Sequence, residues 1–210
     1  MTAALPTSPP RGLRRRSWTE APFASLDFET TGLDYASDDV VSFGVVPVDR
    51  ARIAVGAAIH QLVRPSAPPS PTSVKIHGMR AQDLAGAPRG PEAREVLRTA
   101  LDERFILSWY APVEIAFLAR MFEGGARRFR RRTIDVRELA IQIDRRRGHL
   151  SGSPEYSLSA CAARYVVPVA NPHDALDDAL VTAQLFLVLA ERLRGEGLGT
   201  VARLLRAGRS

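Results

Sequence analysis

Two carboxylates stand two residues apart in the stretch Ser25-Leu26-Asp27-Phe28-Glu29-Thr30-Thr31-Gly32-Leu33-Asp34. On a β-strand alternate side chains share a face, so Asp27 and Glu29 project together while Leu26 and Phe28 point the other way. Side-by-side carboxylates among core residues repel one another unless a cation sits between them. Hard oxygen donors of this kind suit Mg²⁺ or Mn²⁺. A solvent-facing strand edge with ordinary alternation produces the same short pattern, so the pair alone is a weak signal. A second constellation lies near the C-terminus, in Asn171-Pro172-His173-Asp174-Ala175-Leu176-Asp177-Asp178. Asp174 and Asp177 have the spacing of a helix cap and its third position, which starts a helix at Asp174. His173 then stays outside the helix and can turn toward the same point as Asp178, one turn in. An imidazole in that place can accept a proton, as a general base must. Read alone, His173 is equally a surface residue and the three aspartates capping charges.

The elements that must position these groups follow from the apolar pattern. Phe23–Glu29 reads as a short buried strand. Val40–Val48 and Ile53–Val63 read as two more, joined by the charged turn Asp49-Arg50-Ala51-Arg52 in the manner of a hairpin. A proline-rich loop, Pro65–Pro71, leads to Val74–Leu84. Beyond it come a helix over Glu92–Glu103, a buried strand over Arg104–Tyr110 and a helix over Ala111–Phe122. Thr133–Val136 reads as a fifth strand, running into a helix through Glu138–Asp144. Helices over Leu158–Val166 and His173–Leu193 complete the order, the last with an apolar stripe of Leu176, Leu180, Ala183, Leu187 and Ala190. The pattern predicts an α/β fold: a mixed sheet of about five strands, an antiparallel meander first, flanked by helices.

The 210 residues, 45% hydrophobic and 25% charged, suit one domain with one sizeable core. We expect a Pro/Arg-rich disordered tail over 1–20, a folded domain over 21–196, and a basic tail or short helix over 197–210. Cys161 is the single cysteine, which excludes an intramolecular disulfide and fits a reducing, cytoplasmic setting. The longest apolar runs fall short of the ~20 residues that span a bilayer, so no membrane partner is expected. The formal charge of +6 invites a nucleic-acid reading, yet residues 1–20 carry four arginines against one glutamate and so hold +3 of it. Twenty-eight of the 29 basic residues are arginine, Lys75 being the exception, a ratio that resembles GC-rich coding bias. Three clusters stand out, Arg14–Arg16, Arg127–Arg132 and Arg145–Arg147; solvated faces are the commoner explanation of such runs.

Together the two constellations resemble the DEDD exonucleases of the histidine subclass, a ribonuclease H-like family that includes the exonuclease domain of the DNA polymerase III epsilon subunit. The family's D-x-E-T-T-G-[LM] motif is met by Asp27 through Leu33, and its H-x-A-x-x-D motif by His173, Ala175 and Asp178. Ile76-His77-Gly78 and Tyr156-Ser157-Leu158 are two weaker landmarks, and the resemblance runs from about Phe23 to Leu193. The second family motif, H-N-A-x-F-D, is altered: the register of Ala111, Ile115, Phe117 and Leu118 puts Glu114 where the aspartate belongs. The resemblance implies two-metal phosphodiester hydrolysis, with two divalent cations, Mg²⁺ or Mn²⁺, held by Asp27, Glu29, Asp178 and Glu114, and with His173 as base. It implies 3′–5′ removal of nucleoside 5′-monophosphates from single-stranded DNA or RNA ends. Thr30, Thr31, Gly32, Leu33 and His77 would contact the terminal nucleotide, with Leu33 wedged against its base. Two other readings are a nucleic-acid-binding module weak or inactive in catalysis, and a proofreading subunit partnered by a DNA polymerase. Trp109 and Tyr110 suit base stacking but are more often core.

Overall fold

A computed structural model describes residues 4–122, 125–148 and 155–209. Six strands form one sheet: β1 (Phe23–Thr30), β2 (Val40–Asp49), β3 (Arg52–Ile53), β4 (Ile59–Leu62), β5 (Phe105–Ser108) and β6 (Thr133–Asp135). Their order is β3-β2-β1-β5-β6, with β4 also on β2. The first four strands pair antiparallel, whereas β1–β5 and β5–β6 are parallel, so the sheet is mixed as the pattern predicts. The run Ile53–Val63, expected as one strand, is instead two. A turn of 3₁₀ helix over Val55–Ala57 interrupts it at the small residues Ala54-Val55-Gly56-Ala57-Ala58, which offer little bulk to pack on the sheet. The hairpin between β2 and β3 forms where expected, but Arg50 and Ala51 both take positive φ, 51° and 58°. That is the type I′ geometry usually given to Asn-Gly. An ion pair beside it holds the end of β2: the Asp49 carboxylate accepts from both terminal nitrogens of Arg104, at 2.7 and 3.0 Å.

Nine helices are seen among the described residues: α1 (Pro71–His77), α2 (Ala81–Leu84), α3 (Gly90–Ala100), α4 (Ala111–Met121), α5 (Ala126–Arg132), α6 (Val136–Arg146), α7 (Leu158–Tyr165), α8 (Ala175–Gly195) and α9 (Val201–Ala207). They cover both faces of the sheet. Ala24, Leu26 and Phe28 of β1 pack with α3 and α4 through Leu97, Phe117 and Leu118. Phe23, on the other face, packs with Leu107, Ile134 and the apolar side of α8. Period-two alternation therefore turns Asp27 and Glu29 toward the α8 face. The arginine run Arg127–Arg132, read as a solvated cluster, belongs to α5, with Arg132 1% exposed.

The tails depart from expectation. Residues 1–3 and 210 lie outside the described residues, but from Ala4 onward the N-terminal segment is laid on the domain rather than disordered. Trp18 is buried against Phe186 with ring centroids 5.6 Å apart, and its amide donates to Gly199 O at 3.1 Å. An indole supplies enough apolar area to anchor a chain whose proline and arginine content alone predicts disorder. Of the two readings of 197–210 the helix is the one seen, α9, buried through Val201, Leu204 and Leu205. No helix among the described residues is long and apolar enough to cross a membrane.

Candidate active site

Asp27 and Glu29 lie toward the C-terminal end of β1, opposite Gly44 and Ser42 of β2. Gly44 is indispensable to what covers them. A Cβ there would fall 2.1 Å from Ala175 O and 2.5 Å from Leu176 Cα, so the first turn of α8 rests directly on bare backbone. This close approach brings the aspartates of α8 over the pair on β1. Sequence reasoning passed over Gly44; a lone glycine inside an apolar strand is the signal that marks such contacts.

The start of α8 matches the expected cap. Asp174 Oδ1 accepts from the amides of Leu176 and Asp177 at 3.0 and 3.1 Å. Asp177 turns away to receive Asn171, side chain and backbone, at 2.6 and 3.1 Å. His173 lies outside the helix with φ +65°, a left-handed conformation uncommon for a side-chain-bearing residue. Its amide donates to Asp178 Oδ2 at 3.1 Å, which fixes the histidine backbone against that aspartate. Glu29, His173 and Asp178 each offer one ligand atom, and these atoms lie within 4.8 Å of one another.

Glu114 comes from the opposite side of the sheet, in the first turn of α4, and is 5% exposed. Asp135 holds that turn: its Oδ2 accepts from Ala111 N at 3.1 Å, while its Oδ1 caps α6 through Glu138 N. Sequence reasoning missed Asp135, a positioning residue visible only once β6 is paired beside β5. Burial pushes Glu114 up to about 7, with Asp135 adding to the rise and Ser108 and its own backbone amide pulling against it. Burial pushes Glu29 up to about 8, reinforced by Asp178, Asp174 and Glu114. Asp27 is raised well above the usual carboxylate range by burial, then by Glu114, Glu29, Asp178 and Asp174. Asp178 is raised as well, chiefly by burial. Asp27 and Glu29 thus feel the charges of Asp178, Asp174 and Glu114, a crowding of carboxylates that a cation would relieve.

The loop after β1 is held by its own hydroxyls. Thr30 Oγ1 donates to Gly32 O at 2.7 Å, and Thr31 Oγ1 donates to Asp38 Oδ1 at 2.7 Å while accepting from Asp39 N. Thr31 O accepts from Ser70 N and Ser73 Oγ, tying the loop to the start of α1. Both threonine hydroxyls are therefore occupied in shaping the loop. What the loop presents is Leu33, 75% exposed. His77, at the end of α1, sits near the Thr30 backbone and His173, and burial holds its imidazole below the usual range. Trp109 is core, at 9% exposure, whereas Tyr110 is exposed and stacked beneath the Arg137 guanidinium, 5.3 Å from its ring centroid.

The residues fit divalent cations. Glu114 Oε2 is buried with no hydrogen-bond partner among the described residues, an acceptor left for something positive. An all-carboxylate set with one imidazole suits hard ions of the Mg²⁺ and Mn²⁺ kind.

Residues 25–186 match the model of the RNase_T exonuclease family. The chain is 29% identical over 189 residues to a PolC-type DNA polymerase III of Thermotoga petrophila, covering 90% of this chain and 13% of the relative. It is 28% identical over 186 residues to a DNA polymerase III subunit epsilon-like protein of Rhodobacter capsulatus, covering 87% and 26%. This chain therefore spans a small part of the length of these relatives. Among solved structures, exonuclease I superposes with a TM-score of 0.73 at 18% identity, over 84% of this chain and 43% of that one. The nuclease domain of 3′hExo, a DEDDh family member bound to rAMP, gives 0.68 at 14% identity, over 88% and 97%. At such identities these structures establish the fold.

Proposed function

The chain belongs to the exonuclease family, and on that premise we propose that it is a divalent-metal-dependent 3′–5′ exonuclease acting on single-stranded nucleic acid. The observation that carries this reading is the cluster of Glu29, His173 and Asp178, whose ligand atoms lie within 4.8 Å of one another, with Asp27 and Glu114 near enough to Glu29 and Asp178 for their charges to oppose. We assign the cation sites to the four carboxylates. Bound cations would neutralise charge at the scissile phosphate and acidify water. His173 accepts the proton of the attacking water, held against Asp178 by its own amide. The water oxygen adds to phosphorus as the bond to the 3′ oxygen of the penultimate nucleotide breaks; that oxygen leaves with the bonding pair and takes a proton to become the new 3′-hydroxyl, and a nucleoside 5′-monophosphate is released. Leu33, projecting from the loop after β1, packs on the terminal base, and His77 contacts the same nucleotide. Thr30, Thr31 and Gly32 act by shaping that loop. We take 21–196 as the exonuclease unit, with the two terminal segments as packed extensions of it.

A module stripped of catalysis is disfavoured, because carboxylates crowded together with Glu29 and Glu114 buried are costly unless a cation offsets them. Partnership with a DNA polymerase is a second reading, favoured by the likeness to an epsilon-like subunit and to a PolC-type polymerase. The test of activity is a 5′-labelled single-stranded DNA and its RNA counterpart incubated with Mg²⁺ or Mn²⁺. A ladder shortening from the 3′ end, abolished by chelator, is expected. Internal cutting, or full activity in excess chelator, contradicts the proposal.

A further inference from the structure

At the other end of the sheet lies a groove of about 890 Å³ between the N-terminal segment and α5. Arg11 and Arg14 line one wall, and Arg127, Arg128 and Arg131 the other. Arg132 lies at the base and Arg209, beyond α9, at the rim; no carboxylate lines the groove. Seven arginines here exceed the +6 carried by the whole chain. Several arginines elsewhere are neutralised locally, among them Arg104 by Asp49, Arg120 by Asp39 and Arg164 by Asp144. None of the seven forms an ion pair among the described residues.

Two features make this a built site rather than a solvated run. The walls are tied together: Arg14 Nη2 donates to Arg131 O at 2.9 Å, and Arg128 Nε donates to Ser8 Oγ at 3.0 Å. At the base, Arg132 is 1% exposed, yet its Nε and Nη2 have no hydrogen-bond partner among the described residues. Its Nη1 alone is satisfied, by the carbonyls of Thr7, Leu101 and Arg104. A buried guanidinium with idle donors is costly unless an anion reaches it. Burial and the nearby Arg128 already push Arg132 down to about 10, a direction an anion would reverse.

We propose that this arginine groove binds backbone phosphates of the nucleic-acid substrate several nucleotides upstream of the 3′ end held at the carboxylates. The inference rests on the function proposed above. Its register comes from the sheet. Phe105, which lines the groove, pairs with Phe23, four residues before Asp27 and six before Glu29. At ~3.3 Å per residue the groove begins about 13–20 Å from the carboxylates. A single strand crosses that span in a few nucleotides, beyond what the carboxylate site itself holds. The groove holds charge but, unlike an aromatic platform, no stacking surface for bases, so it reads phosphate and not sequence.

The test uses the full chain and a double variant, Arg127→Ala with Arg131→Ala, both exposed residues whose loss leaves the core intact. Fluorescence anisotropy in chelator, where no turnover occurs, measures binding of labelled 20-nucleotide and 3-nucleotide single strands. The 20-mer is expected to bind about tenfold more weakly to the variant, with a log–log salt slope shallower by about 1.4, since each lost single-strand phosphate contact removes ~0.7. Binding and Mn²⁺-dependent cleavage of the 3-mer should hardly change. Unchanged 20-mer affinity and slope would overturn the proposal. So would a variant that loses only inorganic phosphate or pyrophosphate, which marks a free-anion site. If the wild type cleaves neither strand, the functional reading fails, while the anisotropy comparison still decides whether the groove binds nucleic acid.

Discussion

Two clusters of like charge stand at opposite ends of one sheet, and they are built differently. The carboxylates come from packed regular elements: a strand, a capped helix resting on Gly44, and a helix start held by Asp135. The arginines come mostly from exposed side chains on α5 and the N-terminal segment, with Arg132 alone fully buried. Burial at the first cluster pushes its members' protonation equilibria up, Glu29 to about 8 from an ordinary 4.5. The difference teaches what each task demands. Chemistry at a phosphorus atom needs donors placed to fractions of an ångström, which only rigid backbone and desolvation supply. Holding a phosphate backbone needs charge without fixed geometry, which long solvated side chains supply at little cost.

The largest effect should come from removing a ligand at the rigid end. Asp27→Ala or Asp178→Ala is expected to lower exonuclease activity about a thousandfold or more. Metal-free, both variants should melt no lower than wild type by calorimetry, since each deletion relieves carboxylate repulsion. Clear destabilisation of both in chelator would recast the cluster as structural and erase the contrast.

Glu114 sharpens it. Glu114→Gln keeps size and removes charge, and a loss on the order of a hundredfold in kcat is expected. Glu114→Asp restores the family residue in a pocket shaped around the longer chain; it should retain measurable activity with an altered Mg²⁺/Mn²⁺ ratio, because Mg²⁺ demands tighter octahedral geometry. A fully active glutamine variant would mean that another carboxylate completes the site.

Gly44→Ala tests rigidity without touching a charge. The added methyl must displace the first turn of α8, at a cost of about 1–3 kcal/mol. Activity should drop about tenfold as Asp178 and His173 move off Asp27 and Glu29. Equal activity in both proteins would show the site tolerates a looseness the comparison denies.

The smallest effect is on stability against pH. Glu29 and Glu114 release their protons near 8 and 7 in the folded chain but near 4.5 unfolded. Between these values the folded state holds more protons, so metal-free stability should fall as pH rises from about 5 to 8. Saturating Mn²⁺ should raise Tm more at pH 8 than at pH 5, and Glu29→Gln should flatten the metal-free decline. Parallel Tm curves for wild type and that variant would remove the electrostatic account.

Much of this was legible in the chain. The alternation around Asp27 and Glu29 and the cap spacing of Asp174 and Asp177 are local properties of strands and helix starts, and sequence periodicity reports them directly; Glu114 was pointed to only by the resemblance to the family's second motif. What the sequence could not show were the contacts between segments distant along it. Gly44 matters because α8 lands on it, Asp135 because β6 pairs beside β5, Trp18 because Phe186 waits beneath it. The arginine run was plainly visible as a run. Only the packing of the N-terminal segment against α5 made it a groove with a buried, half-satisfied guanidinium at its base. Residue type and spacing determined which groups could bind cations or phosphates. Tertiary structure decided which of them are desolvated and which are left without a partner, because burial and pairing depend on what the rest of the chain brings alongside.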